Sequence, residues 1–96
     1  MDFLSIKQKY PVKEVRFQGT VGTEASALTL SNSTVAFQVN NTNVDDGKDL
    51  LISDDGGTTW YRIPANSERD FYTFESLSIK GAVADCEYDI QALVRQ

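Results

Sequence analysis

The stretch Ser53-Asp54-Asp55-Gly56-Gly57-Thr58-Thr59-Trp60 decides the fold of this chain. It separates two short runs rich in strand-forming residues, Leu50-Leu51-Ile52 and Trp60-Tyr61-Arg62-Ile63. Acids and glycines between two such runs are typical of a β-hairpin turn. Glycine reaches positive φ at little cost, and aspartate accepts hydrogen bonds from the backbone amides of a turn. The segment therefore predicts a tight hairpin.

The fixed positions of this octapeptide all fit the pattern S-x-D-x-G-x-T-W. The pattern resembles the Asp-box, a β-hairpin turn best known from sialidases and other β-propeller proteins. A propeller needs several four-stranded blades, and a chain of this length could supply about two at most. We therefore expect a structural turn without the surrounding enzyme. Its expected members are Ser53 and Thr59, which tie the strand ends together, Asp55 and Gly57 in the bend, and Trp60 covering the turn from the core side.

Alternating apolar residues predict further short strands along the rest of the chain. Besides the hairpin, they cover residues 12–17, 28–30, 35–39, 71–74, 77–79 and 88–94. About seven or eight short strands separated by turn signals indicate an antiparallel sandwich, jelly roll or small barrel. Residues 2–10 have apolar side chains at helical spacing, and Pro11 ends this short helix. We predict an all-β, jelly-roll-like antiparallel β-sandwich in residues 17–96, preceded by an N-terminal arm, residues 1–16.

Charge is distributed unevenly along this chain, whose net charge is −5. The N-terminal arm carries Lys7, Lys9, Lys13 and Arg16 against two acids, whereas residues 17–96 carry five basic and twelve acidic side chains. A negative net charge argues against nucleic acid as the main partner. The basic arm of one copy could lie on the acidic body of another, which indicates a homo-oligomer. The alternative is an ordinary solvated N-terminus.

Residues 17–44 contain a single charged side chain, Glu24. Charge depletion is typical of the buried centres of protein interfaces. A candidate interface therefore includes the strand residues Val35, Phe37 and Val39 together with the basic side chains of the arm. The alternative is a polar, uncharged set of loops and strand faces.

Few residues of this chain are suited to catalysis or metal binding. It has no histidine, which removes the usual catalytic triads and the common zinc sites. Asp45-Asp46 and Asp54-Asp55 resemble fragments of calcium loops, but they lack the complete ligand spacing and are more typical of solvated turns. The lone Cys86 is expected to be a small strand residue. We expect no enzymatic activity, no catalytic residue, no metal and no cofactor.

From residue 35 onward, the order of features is similar to that of small structural proteins of tailed bacteriophages. The order is an uncharged strand, an apolar strand, the Asp-Gly-Gly turn before Trp60, then Ile63-Pro64-Ala65, a strand at residues 77–81 and an alternating terminal strand. The resemblance implies a non-enzymatic β-domain located in the virion and made in the host cytoplasm. It also implies capsid or other virion proteins as partners.

Within that class, the resemblance favours a capsid decoration or cement protein that binds a repeating particle surface. The alternative is a carbohydrate-binding or host-recognition β-module of a tail structure. In that case Trp60 or Tyr61 would be exposed and would stack on a sugar. No apolar run approaches the length that a membrane-spanning helix requires, so no membrane contact is expected.

Overall fold

The computed structural model describes residues 3–72 and 77–96. One short helix and eight strands follow each other in this part of the chain: α1 (Phe3–Lys9), β1 (Val12–Val21), β2 (Ser26–Leu28), β3 (Thr34–Asn41), β4 (Leu50–Ser53), β5 (Tyr61–Ile63), β6 (Ser67–Phe71), β7 (Leu77–Gly81) and β8 (Cys86–Arg95). The strand expected over residues 71–74 falls partly on residues 73 and 74, which lie outside the described residues.

The described strands form two four-stranded antiparallel sheets. Sheet A has the order β1-β8-β3-β6, and sheet B has the order β2-β7-β4-β5. Strands pair first with last: β1 with β8, β2 with β7, β3 with β6 and β4 with β5. This pairing is that of a long hairpin folded over on itself, which is the jelly-roll architecture. The all-β sandwich is confirmed, and the β4–β5 turn lies at the tip of the folded hairpin.

The core fills the space between the two sheets. Alternate residues of each strand point inward, so sheet A contributes Phe37 and Ile90 while sheet B contributes Ile52 and Ile79, all with no exposed surface. Phe37 stacks on the ring of Phe71 with centroids 4.8 Å apart. Each fully buried side chain of this kind stabilises the fold by about 1.5–3 kcal/mol.

Helix α1 packs on the outer face of sheet A. Phe3 is buried there with Ala36 of β3 and Leu93 of β8, and these three form a hydrophobic cluster separate from the main core. Ile6 and Val12 pack against this cluster. The backbone N–H of Tyr10 donates to the carbonyl of Ile6, and the helix ends before Pro11, as the sequence indicates.

The expected boundary between residues 16 and 17 falls inside β1 and is corrected here. β1 pairs with β8 along its whole length, from Val12 opposite Arg95 to Val21 opposite Cys86. The physical reason is that strand alternation begins at Val12, and Val15 and Phe17 face the same side of the sheet. The sandwich therefore begins directly after Pro11, and only the first part of the N-terminal arm is helical.

The sandwich has two distinct ends. The terminal end comprises α1, residues 29–33, the β4–β5 turn (residues 54–60) and the C-terminal residues 95–96. The loop end comprises residues 22–25, 42–49, 64–66 and 82–85. The molecule measures 37 × 26 × 20 Å along its principal axes. No helix within the described residues is long and apolar enough to cross a membrane.

Candidate functional site

The β4–β5 turn is closed by its own side chains. The hydroxyl of Ser53 donates to Oδ1 of Asp55 over 2.7 Å and accepts the backbone N–H of Gly57 over 2.8 Å. The same Oδ1 accepts the backbone N–H groups of Thr58 and Thr59 at 3.1 and 2.9 Å. Ser53 is fully buried, whereas the other four residues lie nearer the surface. Oδ1 of Asp55 thus holds the backbone of the bend.

The turn also fixes the protonation state of Asp55. Hydrogen bonds from the Thr59 backbone and then from the Ser53 hydroxyl lower the pKa of Asp55 to about 2, because they favour the charged form. Gly56 and Gly57 have φ values of 76° and 98°, where residues with a side chain are strained. At neutral pH this carboxylate is an anion and holds no proton to donate as a general acid.

Trp60 covers the turn from the outer face of sheet B, which corrects the expectation of a core-side position. The physical reason is strand alternation: Tyr61 and Ile63 face the core, so Trp60 points the other way. The indole is half-buried, and Nζ of Lys80 lies 4.2 Å from the centroid of one of its rings. A Cβ built on Gly57 would lie 3.6 Å from the Trp60 ring, so the indole rests against the bend.

Tyr61 is partly buried and packs against the edge of the hydrophobic core. Its ring meets Phe71 edge-on with centroids 5.8 Å apart, and the Arg69 guanidinium lies 4.5 Å from the Tyr61 centroid. The Tyr61 ring is therefore covered by protein groups on the core side, whereas Trp60 lies on the outer face of sheet B.

The candidate interface strand is buried within the protomer, and this part of the expectation is wrong. Phe37 and Val39 have no exposed surface. β3 lies between β8 and β6 in sheet A, so its inward side chains pack against sheet B. Val35 is half-buried against the cluster under α1. The sequence of a charge-poor strand does not show whether the strand is buried inside its own protomer or against another molecule.

The four basic residues of the N-terminal arm divide into two groups. Lys7 forms an ion pair with Glu14 at 2.5 Å. Arg16 binds both carboxylate oxygens of the buried Asp89, and this hydrogen-bonded pair raises the pKa of Arg16. Lys9 and Lys13 are exposed and have no ion-pair partner among the described residues. The structure leaves these two available for contacts outside the protomer.

A groove at the terminal end escaped the sequence analysis. It measures about 460 Å³ and lies between the end of α1 and the neighbouring ends of sheet A. Its walls include Ile6, Tyr10, Val12, Val35 and Arg95. The helical spacing of Ile6 and Tyr10 was a signal for an apolar helix face. The contribution of Val35 and Arg95 depends on strand order, which the sequence does not reveal.

Two buried asparagines at the loop end were also missed. The Asn41 side-chain amide donates to the carbonyls of Lys48 and Ile63, both at 2.9 Å. Asn43 donates to the carbonyl of Glu87 at 2.8 Å and accepts its N–H at 3.0 Å. These bonds hold the β3–β4 connection against β5 and β8, so this loop is anchored from two sides.

The paired acids occupy surface positions. Asp45 and Asp46 are exposed at the loop end, and Asp54 is half-buried beside the β4–β5 turn. Within residues 3–72 and 77–96, no three side chains of histidine, cysteine, aspartate or glutamate are grouped so that they could hold a metal ion. Cys86 is a free cysteine with no exposed surface.

Comparison with known proteins gives one structural likeness. The chain matches no protein-family model and no curated protein. It is similar to a solved structure described as Bacillus endospore appendages that form a novel family of disulfide-linked pili. The likeness covers 88% of this chain and 86% of the other, with a TM-score of 0.55 and 18% sequence identity. At this identity it shows the fold, a two-sheet β-sandwich that also occurs in a pilus structure.

Proposed function

We propose that this chain is a non-enzymatic structural protein of a bacteriophage particle, which binds a repeating surface as a capsid decoration or cement protein. The observation that carries the proposal is an exposed, nearly uncharged rim formed by two edge strands. Two further points support it. Oδ1 of Asp55 accepts three hydrogen bonds from its own turn, and a similar fold occurs in a structure described as a pilus.

The uncharged rim comprises residues 18–33, which include the last four residues of β1, all of β2 and the connections that follow each strand. β1 is an edge strand of sheet A, and β2 is an edge strand of sheet B. β5 and β6 contact each other across the opposite side of the sandwich, so β1 and β2 share one side. Most side chains of this rim are exposed, and Glu24 is its single charge.

Such a rim can be covered by another protein at low cost. Small uncharged side chains lose less hydration energy on burial than charged side chains do. An edge strand also offers unpaired N–H and C=O groups that a neighbouring strand can bind. Many copies on a repeating lattice gain strength together, so each contact can be small. These properties suit a protein that coats a particle.

The proposal is tested by adding the purified chain to emptied capsids of the phage whose genome encodes it. Occupancy is measured by co-sedimentation and capsid rupture by calorimetry. We expect saturable binding and a higher rupture temperature. The Ala27→Arg variant, which places a charge on the rim, should bind at least about tenfold more weakly. Thr58→Arg, exposed in the β4–β5 turn, is the matched control. Wild-type protein that neither binds nor changes rupture would overturn the proposal.

The second candidate, a carbohydrate-binding module of a tail structure, is favoured by the partial exposure of Trp60 on the outer face of sheet B. Lys80 already covers part of this indole. The test is Trp60 fluorescence during addition of host surface polysaccharide. A saturable change would favour this candidate, and an unchanged spectrum would count against it.

A further inference from the structure

The sheet A side of the terminal end and the loop end carry opposite charge. Lys9, Lys13 and Arg95 are exposed at the terminal end. Arg95 lines the groove and Lys9 precedes the groove residue Tyr10, whereas Lys13 lies on the opposite face of β1 from Val12. Asp54 and Asp55 are at the same end but belong to the β4–β5 turn of sheet B. The exposed charges of the loop end are acidic and include Glu24, Asp45, Asp46, Asp85 and, at the start of β8, Glu87. Lys48 lies at the same end, where its ammonium group donates to the Asp85 carbonyl. The sheet A side of the terminal end is therefore basic, and the loop end is acidic.

The groove at the terminal end leaves apolar surface open to solvent. Tyr10 is 52% exposed although it lines the groove with Ile6, Val12 and Val35. The volume of about 460 Å³ leaves room for more than one aliphatic side chain. Arg95 also lines the groove. The groove is therefore complementary to an apolar group that is flanked by acidic side chains.

The loop end presents such groups. Val44 is 83% exposed and Val83 is 42% exposed, which is unusual for valine in a folded protein. Asp45 and Asp46 follow Val44 directly, and Asp85 lies two residues after Val83. The loop end thus combines protruding aliphatic side chains with a surround of carboxylates.

Both valines are carried on anchored loops. Val44 follows Asn43, whose side chain binds the Glu87 backbone in both directions. Val83 follows Ala82, whose N–H donates to the Asp49 carbonyl at 2.9 Å. Because the loops are bonded to strands and to each other, little conformational freedom is lost when the valines are covered.

We propose that the loop end of one copy binds the terminal end of the next copy. Val44 and Val83 enter the groove of the neighbour, and the surrounding carboxylates face Lys9, Lys13 and Arg95. The contact joins two different surfaces, so each bound copy still offers a free end and copies can add in a row. Opposite charges at the two ends orient the encounter. This inference rests on the proposed role as a structural subunit and specifies a second copy of the chain as its partner.

A charge exchange tests the contact. The double variant Lys9→Glu/Lys13→Glu reverses the charge at the terminal end. The double variant Asp45→Lys/Asp46→Lys reverses the charge at the loop end. All four side chains are exposed, so both variants should fold. Sedimentation velocity should show self-association of wild-type protein, at least about tenfold weaker self-association of each variant alone, and recovery in their equimolar mixture. Recovery follows because each reversed end then meets a complementary end.

Measurements at high salt and with an apolar-to-polar substitution separate the contribution of charge to self-association from that of apolar contact. Association should weaken at high salt, since charges are screened beyond about 3 Å at 1 M salt. Val44→Ser should also weaken it, whereas Leu4→Ser should not, because Leu4 is exposed on α1 but does not line the groove. A wild-type chain that stays monomeric overturns the proposal and leaves the groove to another ligand. Variants that associate as wild type does, or a mixture that fails to recover, also overturn it.

This test uses the purified chain alone, whereas the capsid experiment measures binding to a particle. A monomeric chain that still coats capsids would refute only the contact between copies. A chain that associates with itself but ignores capsids would refute only the proposed decoration role.

Discussion

Ser53 Oγ lies 2.7 Å from Oδ1 of Asp55, and this bond closes the turn that joins β4 to β5. The turn stands at the tip of the folded hairpin, where consecutive strands are neighbours within one sheet. Every other described connection between successive strands crosses from one sheet to the other. The hydrogen bonds of the turn therefore hold together β4 and β5, the innermost strand pair of the jelly roll.

Replacing Asp55 with asparagine should lower the free energy of unfolding at neutral pH, because the charged acceptor of the turn is lost. The pKa of Asp55 is about 2 in the fold and about 3.9 in an unfolded chain. A lowered pKa means that the stabilisation is present above about pH 4 and is lost as the pH falls toward about 2. Urea unfolding at several pH values measures this. Asp54→Asn is the control, and a difference from wild type that does not shrink in acid would contradict the assignment.

Gly57→Ala should destabilise the protein by about 1–2 kcal/mol, since alanine is strained in the left-handed region. The new Cβ would meet Trp60 at 3.6 Å, an ordinary contact, so backbone strain is the main cost. Gly22→Ala is the matched control because no atom lies within 4 Å of its Cβ position. Urea unfolding compares the two variants. Equal stability of both would refute the positive φ at Gly57.

Arg62→Ala should reveal the cost of an unpaired buried carboxylate. The Asp49 side chain is 8% exposed, forms an ion pair with Arg62 and accepts the N–H of Ala65 at 3.3 Å. Removing the guanidinium should cost about 1–3 kcal/mol, because the Asp49 carboxylate loses its charged partner. Adding Asp49→Asn to Arg62→Ala should then recover part of the loss. Additive effects of the two substitutions in urea unfolding would exclude the coupling.

Lys80→Ala should make the Trp60 fluorescence easier to quench with acrylamide. Wild-type quenching is expected to be intermediate, because the indole is half-buried and its ring is partly covered by the lysine ammonium. Lys48→Ala, at the other end of the sandwich, serves as the control and should leave quenching unchanged. An unaltered quenching constant in Lys80→Ala would show that the lysine does not shield the indole.

The Cys86 thiol should react with a thiol reagent only when the fold opens. Its side chain has no exposed surface, and Sγ lies 3.3 Å from the Val83 carbonyl. We expect the reaction rate in native buffer to follow the unfolding equilibrium measured in denaturant. Native protein that reacts as fast as a free thiol would contradict this burial. The disulfide linkage described for the pilus structure is therefore not carried over to this chain.

Features with a local cause could be predicted from the sequence. The β4–β5 hairpin, the helix before Pro11 and the alternating strand β8 follow from residue types and from their spacing of two or 3.6 residues along the chain. The side assigned to Trp60 was wrong because an indole next to a turn fits either face. Tyr61 packs on Phe71 and therefore faces the core. Because neighbouring strand residues point to opposite sides, Trp60 must lie on the outer face of sheet B.

Features with a distant cause could not be predicted. Phe37 and Val39 were assigned to an interface because their burial depends on β6 and β8, which are remote in sequence. The ion pair between Arg16 and Asp89 joins residues 73 positions apart, so the charge count alone did not reveal it. The groove and the acidic loop end likewise form only when jelly-roll pairing brings separate segments together.

The most direct test of the proposed structural role is to count this chain in purified particles of a phage that is found to encode it. Quantitative mass spectrometry compares its copy number with that of the major capsid protein. The account predicts many copies in a fixed ratio to the capsid protein, retained through purification. Particles that lack the chain, while the infected host contains it, would contradict the account.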